Sequence, residues 1–217
     1  GGGFVPFTAM GSFLGSLICT ALFVLRIRTA RRPFVPPALF KNRFYVTPVV
    51  IAFLSAFAYF AILVYVPLLN YEVNGLTPGE AGLLLLPGGA AVALLSPWVG
   101  RLSDRIGNKP LVVAGLIVMC FSSLLLSTLA PAASPYWSSA GALGAGIAFA
   151  LINSPVTNSA AGVLQSDTVG AGMGFFQGAL YLGAGTGAGI VGAFLHARSA
   201  AGFPINPLYR LEAVHYS

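Results

Sequence analysis

The residues of this chain that could do chemistry are few, and they are unevenly placed. One stretch, GRLSDRIGNKP at 100–110, holds Arg101, Asp104, Arg105 and Lys109, in a chain with only 11 basic and 5 acidic residues in total. One carboxylate among three cations suits ion pairing and charge-assisted hydrogen bonding rather than bond breaking. Asp104 can pair with Arg105 or another loop arginine, or accept backbone hydrogen bonds at the start of a nearby helix. Gly100 lets the preceding segment approach a neighbour closely, and Gly107 permits a tight turn or a left-handed backbone.

The other polar side chains of interest are uncharged. Asn153, Asn158 and Gln177 lie within long apolar runs. Tyr59 stands among Phe53, Phe57 and Phe60, with Tyr65 nearby. A buried amide in lipid is costly unless it bonds a neighbouring helix or faces a cavity. Asn153, Asn158, Gln177 and Tyr59 are therefore candidates for lining a substrate cavity, with plain interhelical hydrogen bonding as the alternative. The aromatic wall suits a hydrophobic ligand and equally suits contact with lipid or other helices. No enzyme is expected. The sequence has no HExxH, no phosphate-cradling GxxxxGK[ST], and no nucleophile with an arranged base. No metal site or cofactor is expected either. Cys19 and Cys120 each sit alone in apolar runs, with no ligand spacing.

The elements that carry these residues are set by composition. The chain has 217 residues, 57% hydrophobic and 7% charged, with a mean hydropathy of +0.86. A soluble domain carries about 25% charged residues and cannot hide this much apolar surface. Charge is missing from 1–25, 44–71, 81–100, 110–166 and 168–197. A membrane-spanning helix needs about 20 mostly apolar residues, and the run 110–166 divides at the turn-like PAASP of Pro131–Pro135. Six spans follow, at 6–25, 45–69, 80–99, 111–130, 137–160 and 169–195. The fold class is an all-α polytopic membrane protein, because no barrel-like alternation is present. The net charge of +6 does not point to nucleic acid, since the basic residues lie in short connections between spans.

Those connections also set an orientation. Arg26, Arg28, Arg31, Arg32, Lys41 and Arg43 precede the second span, and Arg101, Arg105 and Lys109 follow the third. With alternating helices both groups face the cytoplasm, next to the anionic inner leaflet and its lipids. The amino terminus and the tail, with Arg198 and Arg210, then face outside. Glu80 falls at the outer start of the third span, where it favours the positive helix end. His196 falls at the outer end of the sixth. No Asp, Glu, Lys or Arg lies at mid-membrane.

Three spans carry residues that bend or pack. Pro87 lies inside the third span and predicts a kink. Gly88 and Gly89 leave room there for a neighbouring helix, and a moving hinge and a static bend are both open. The sixth span places Gly174 with Gly178, Gly183 with Gly187, and Gly185 with Gly189, each pair four residues apart, as faces for tight helix packing. The fifth carries Gly144, Ala148 and Pro155 besides its two asparagines.

In order along the chain these features resemble the major facilitator superfamily, and within it the 14-helix drug:proton antiporters, which include tetracycline exporters. The loop 100–110 is similar to that family's cytoplasmic G-x-L-x-D-R-x-G-x-K/R pattern at Gly100, Leu102, Asp104, Arg105, Gly107 and Lys109. Asn108 departs from it, standing where a basic residue is common. PFVPPALFKNRFY resembles the linker entering the family's second half, and DTVGAGMGFFQGALYLGAGTGAGIVGAF its penultimate helix. A purely topological role would account for Arg101, Arg105 and Lys109, but not for the D-R-x-G order.

The resemblance implies a part of a major facilitator fold. Residues 1–43 would hold the second of two extra central helices and a basic linker. Residues 44–200 would be five helices of the carboxy-terminal half, and 201–217 an outer segment leading to a further helix. The chain opens GGGFVPF without methionine and closes LYRLEAVHYS. It is therefore expected to be a fragment whose partners are an amino-terminal half and a final helix, with a complete, processed six-helix protein as the alternative. The implied function is proton-coupled export of hydrophobic compounds from the cell across the cytoplasmic membrane. Protons would be the coupling ion, the residues carrying them would lie outside this chain, and loop 100–110 would act as a cytoplasmic gate. A non-transport membrane scaffold and a transporter for another small solute are the alternatives.

Overall fold

The computed structural model describes residues 37–128 and 135–201, the side chains at 37, 38, 72, 73 and 194–201 excepted, and eight positions between 11 and 25. Those eight are helical and exposed. The rest of the expected first span, Arg26–Arg32, the break at 131–134, the tail at 202–217, and the side chains of Glu72 and His196 lie outside the described residues.

After a short 3-10 turn, Pro37–Lys41, the described chain is a series of α-helices: α1 Arg43–Asn74, α2 Pro78–Leu83, α3 Leu86–Ile106, α4 Asn108–Thr128, α5 Pro135–Gly162 and α6 Val169–Ala201. Local chemistry fixes their ends. Phe44 N–H donates to Asn42 Oδ1 at 3.0 Å at the start of α1. Gly75, in the left-handed region at φ 62°, closes it, a conformation that costs glycine no steric penalty. Glu80 falls in the first turn of α2. Its carboxylate accepts from Thr77 N–H at 2.9 Å and Thr77 Oγ1 at 2.8 Å, and its own N–H donates back to Thr77 Oγ1 at 3.4 Å. That reciprocal cap satisfies donors a helix start would leave orphaned.

α2 and α3 form one span interrupted at Leu84–Leu85. Pro87 offers no N–H to the carbonyl of Leu83, and its ring crowds that carbonyl. Leu85 N–H bonds Gly82 O at 3.1 Å instead, a tighter i→i+3 turn. Among the described residues, four stretches are long and apolar enough to cross a membrane: Arg43–Tyr71, Pro78–Ile106, Asn108–Thr128 and Pro135–Gly162. α6 has 33 residues, long enough to cross as well.

α5 is the centre of the bundle, packing against α1, α3 and α4, while α6 packs chiefly against α1. In the most apolar window of α5, 56% is buried, against 17% for Pro78–Ile106. The core joins Val49, Ala52, Ala56, Tyr59 and Ile62 of α1 to Ala145, Ala148, Phe149, Ile152 and Val156 of α5, with Phe176 and Leu180 from α6. α1 is apolar around its whole circumference, so sequence periodicity could not show which stripe is buried. Lipid tails are as apolar as leucine, so helix association in a membrane rests on close packing and hydrogen bonds rather than on hydrophobic burial. Small residues and hydroxyls at the seams therefore decide the arrangement.

Candidate functional site

The stretch 100–110 is less a loop than two helix ends joined at one residue. α3 continues through Arg101, Asp104 and Arg105 to Ile106, and α4 begins at Asn108. Only Gly107 intervenes, at φ 86° and ψ 163°, a region essentially confined to glycine. Its N–H still bonds Ser103 O at 2.9 Å. Arg101, Asp104, Arg105 and Lys109 are all exposed. Among the described residues none of the four enters an ion pair, so of the alternatives for Asp104 a pairing with Arg101 or Arg105 is not formed here.

What holds this joint is Asn108, the residue that departs from the resembled pattern. Ser103 Oγ donates to Asn108 Oδ1, and Asn108 Nδ2 donates to Ser159 Oγ on α5. Ser159 Oγ in turn donates to Pro155 O at 2.9 Å. An asparagine side chain both accepts and donates, which a lysine or arginine cannot do. Ser103 is buried, so its hydroxyl needs this partner.

Further along the same seam, Ser154 Oγ donates to Ser96 O at 3.2 Å. A Cβ on Gly100 would stand 3.3 Å from Ser154 Oγ, so Gly100 brings α3 close to α5. Near the middle of the span, a Cβ on Gly88 would come within 2.5 Å of Ala142 O, and one on Gly146 would collide with the Gly88 carbonyl. Gly88 is thus a packing residue at the α3–α5 crossing. Gly89 is exposed, with nothing within 4 Å of its missing Cβ. Ser96, Ser103, Ser154 and Ser159 were not singled out from sequence. One signal was available: both helices carry a glycine followed eight residues later by a serine, Gly88 with Ser96 and Gly146 with Ser154.

The glycines of α6 divide into two faces. A Cβ on Gly183 or Gly187 would collide with the backbone carbonyl of Phe53 or Phe57 on α1. Gly174, Gly178, Gly185 and Gly189 are exposed and meet nothing within 4 Å. The α1–α6 seam also has a polar tie, from Tyr45 Oη to Gly172 O at 2.6 Å, fully buried at the tyrosine.

The four cavity candidates are not brought together. Tyr59 is buried and stacks on Phe149 of α5, with centroids 4.4 Å apart and planes at 12°. Asn153 is half-buried, and its Oδ1 is enclosed without a partner among the described residues. Asn158 and Gln177 are exposed. Two open apolar grooves, of about 400 and 380 Å³, lie elsewhere. One is lined by Val64, Pro67, Leu68 and Tyr71 of α1 with Pro78 and Ala81, the other by residues of α4 and α5 around Phe121. Among the described residues no cluster of His, Cys, Asp and Glu could hold a metal. Cys19 and Cys120 are free thiols on exposed helix faces.

Residues 4–197 match the family described as the Major Facilitator Superfamily. The multidrug resistance protein Stp of Mycobacterium tuberculosis is 31% identical over 183 residues, covering 82% of this chain and 33% of that protein. The multidrug transporter protein MdtP of Bacillus subtilis is 31% identical over 120 residues, 55% of this chain and 22% of MdtP. The lincomycin resistance protein LmrB of Listeria innocua is 31% identical over 122 residues, 56% of this chain and 26% of LmrB. The matched region thus spans a third or less of these relatives.

Proposed function

Because the chain belongs to the Major Facilitator Superfamily, a family of membrane-integral transporters, we propose that it is the carboxy-terminal part of a proton-coupled antiporter that exports hydrophobic drug-like compounds. The observation that carries this reading is the match across 4–197 together with relatives named for multidrug and lincomycin resistance. Stp is about three times, and LmrB about four times, as long as the region matched to it. The reading therefore places this chain beside an amino-terminal helical half and a final helix, in the cytoplasmic membrane.

The mechanism follows from charge and position. The spans carry no Asp, Glu, Lys or Arg at their centres, and a proton-coupled carrier needs a titratable group within the membrane. The coupling groups are accordingly assigned to the other half, and this half supplies an apolar wall and a gate. Asp104 and Arg105 project from the last turn of α3, exposed and unpaired among the described residues, where charges on an opposing half could reach them. In the closed state they hold the cytoplasmic side shut. Proton entry on the outer side favours the inward-open state, and that contact breaks. The interruption at Leu84–Leu85, with Gly88 at the α3–α5 crossing, allows the two ends of the Pro78–Ile106 span to tilt separately.

Asp104→Asn in the full-length transporter tests this reading. The variant should reach the membrane at normal abundance and lose about tenfold in proton-driven drug transport in proteoliposomes, equivalent to about 1.4 kcal/mol. Undiminished uptake at equal abundance would remove Asp104 from the gate.

A further inference from the structure

The gating loop needs a seat, and the hydrogen bonds at Asn108 supply one that no charge takes part in. We propose that Asn108 is the positioning residue of the loop, locking the end of α3 and the start of α4 onto α5 so that the three move as one body. The inference deepens the gate reading and rests on it only for its consequence in transport.

Chemistry and geometry both single out Asn108. Ser103 is the residue immediately before Asp104, buried in the last turn of α3. Gly107 turns the chain back so that Asn108, five residues on, receives the Ser103 hydroxyl. The amide nitrogen then reaches across 51 residues of sequence to Ser159. The Ser159 hydroxyl proton is already committed to Pro155 O, 2.9 Å away. Each hydroxyl has one proton to give, so the chain of bonds runs in one direction, from α3 through α4 to α5. Only a side chain that accepts at one atom and donates at the next can sit at its middle.

Asp104 and Arg105 follow Ser103 directly and are exposed, so their aim is fixed by how Ser103 is held. The seat uses neutral groups, so opening and closing of the charged contact leaves it intact. A lysine or arginine at 108 could donate to Ser159 but could not accept from Ser103. The buried hydroxyl would then need another acceptor, such as its own helix backbone.

Amide hydrogen exchange read by mass spectrometry, on the full-length transporter in nanodiscs, tests the seat without any transport assay. Asn108→Leu should speed exchange in peptides covering 100–110 and 156–162 together, by about tenfold in each. Asn108→Asp should not restore the second of these, because an ionised carboxylate can accept from the Ser103 hydroxyl but has no proton to give to Ser159, whose own proton goes to Pro155 O. Ser159→Ala, a milder change, should speed the same two peptides less. Combined with Asn108→Leu it should add nothing further, as expected for members of one network. Three outcomes would overturn the proposal: unchanged exchange at 100–110, acceleration there without any at 156–162, or an aspartate variant that protects 156–162 as well as asparagine does. Transport separates this proposal from the one it deepens. If the exchange pattern holds while Asp104→Asn transports normally, the seat stands and the gate falls. If both hold, Asn108→Leu should lower the maximal transport rate about tenfold with KM within about twofold.

Discussion

Two helix seams of this bundle are built from the same kinds of small residue and behave as opposites. Both join helices that run parallel. In the α1–α6 seam, Gly183 and Gly187 lie directly against the carbonyls of Phe53 and Phe57, backbone on backbone at two successive turns. Its polar tie, Tyr45 to Gly172 O, lies beyond those contacts, near the start of both helices. The α3–α5 seam has a single backbone contact of that kind, Gly88 on Gly146 and Ala142. Beyond it, side-chain hydroxyls and one amide take over, from Ser154 on Ser96 O to Asn108 on Ser159. Backbone contact is all-or-none, because carbonyls cannot rotate away. Hydroxyl contacts can be exchanged for others by a rotamer change. The first seam is suited to hold two helices as one body. The second is pinned at its middle by backbone and tied at the charged end by the Asn108 hydrogen bonds, and is adjustable in the stretch between them.

The largest effect should come from filling the first seam. Gly183→Leu places a side chain where the Phe53 carbonyl stands, and neither backbone can yield without separating the helices. A cost of about 3 kcal/mol or more is expected, seen as loss of the folded, detergent-soluble transporter in a thermal unfolding assay. Gly82→Leu, on a face of α2 with nothing within 4 Å, is the control and should change the midpoint little. If Gly183→Leu were tolerated like Gly82→Leu, the seam would be as adjustable as its counterpart and the contrast would collapse.

A smaller effect is expected at the polar end of the same seam. Tyr45→Phe keeps the ring and deletes the buried hydroxyl that donates to Gly172 O. Because that carbonyl loses its extra donor inside the membrane, about 1 kcal/mol should be lost. The unfolding midpoint should fall, and exchange at the start of α6 should rise. A shift as large as that of Gly183→Leu would mean that the hydroxyl, and not the glycine contact, fixes the seam.

The elements of the fold were legible in the sequence because charge is so scarce. Uncharged runs of 20 residues or more leave few places for helix ends, and Thr77, Glu80 and Gly75 mark the ends that exist. Partner choice was not legible. α1, α5 and α6 are apolar on all sides, so periodicity names no buried face, and six glycines of α6 looked alike where only Gly183 and Gly187 meet a backbone. The candidate site divides in the same way. The D-R-x-G order drew attention to Asp104 and Arg105. Asn108 stood out only as a mismatch, because its meaning depends on Ser159, which is distant in sequence and unremarkable by itself. Only polarity points to Asn158 and Gln177, and polarity does not say whether an amide faces a neighbour or open space.

The smallest effect is expected in the adjustable seam, and it probes the contrast most finely. Ser154→Ala deletes the 3.2 Å bond to Ser96 O yet leaves that carbonyl its place in the helical ladder of α3. Interhelical hydrogen bonds in membranes average about 0.6 kcal/mol, so the unfolding midpoint should hardly move. The deletion should instead act on motion. The Ser154 hydroxyl lies against Gly100, just before the charged residues. Removing it loosens the stretch of α3 between the Gly88 contact and the Asn108 tie, while both of those hold. Exchange should rise in peptides covering 96–103 and stay unchanged around 86–92. Equal loosening of both stretches would mean that the seam gives way as a unit, and the graded picture, firm at Gly88 and adjustable beyond it, would be wrong.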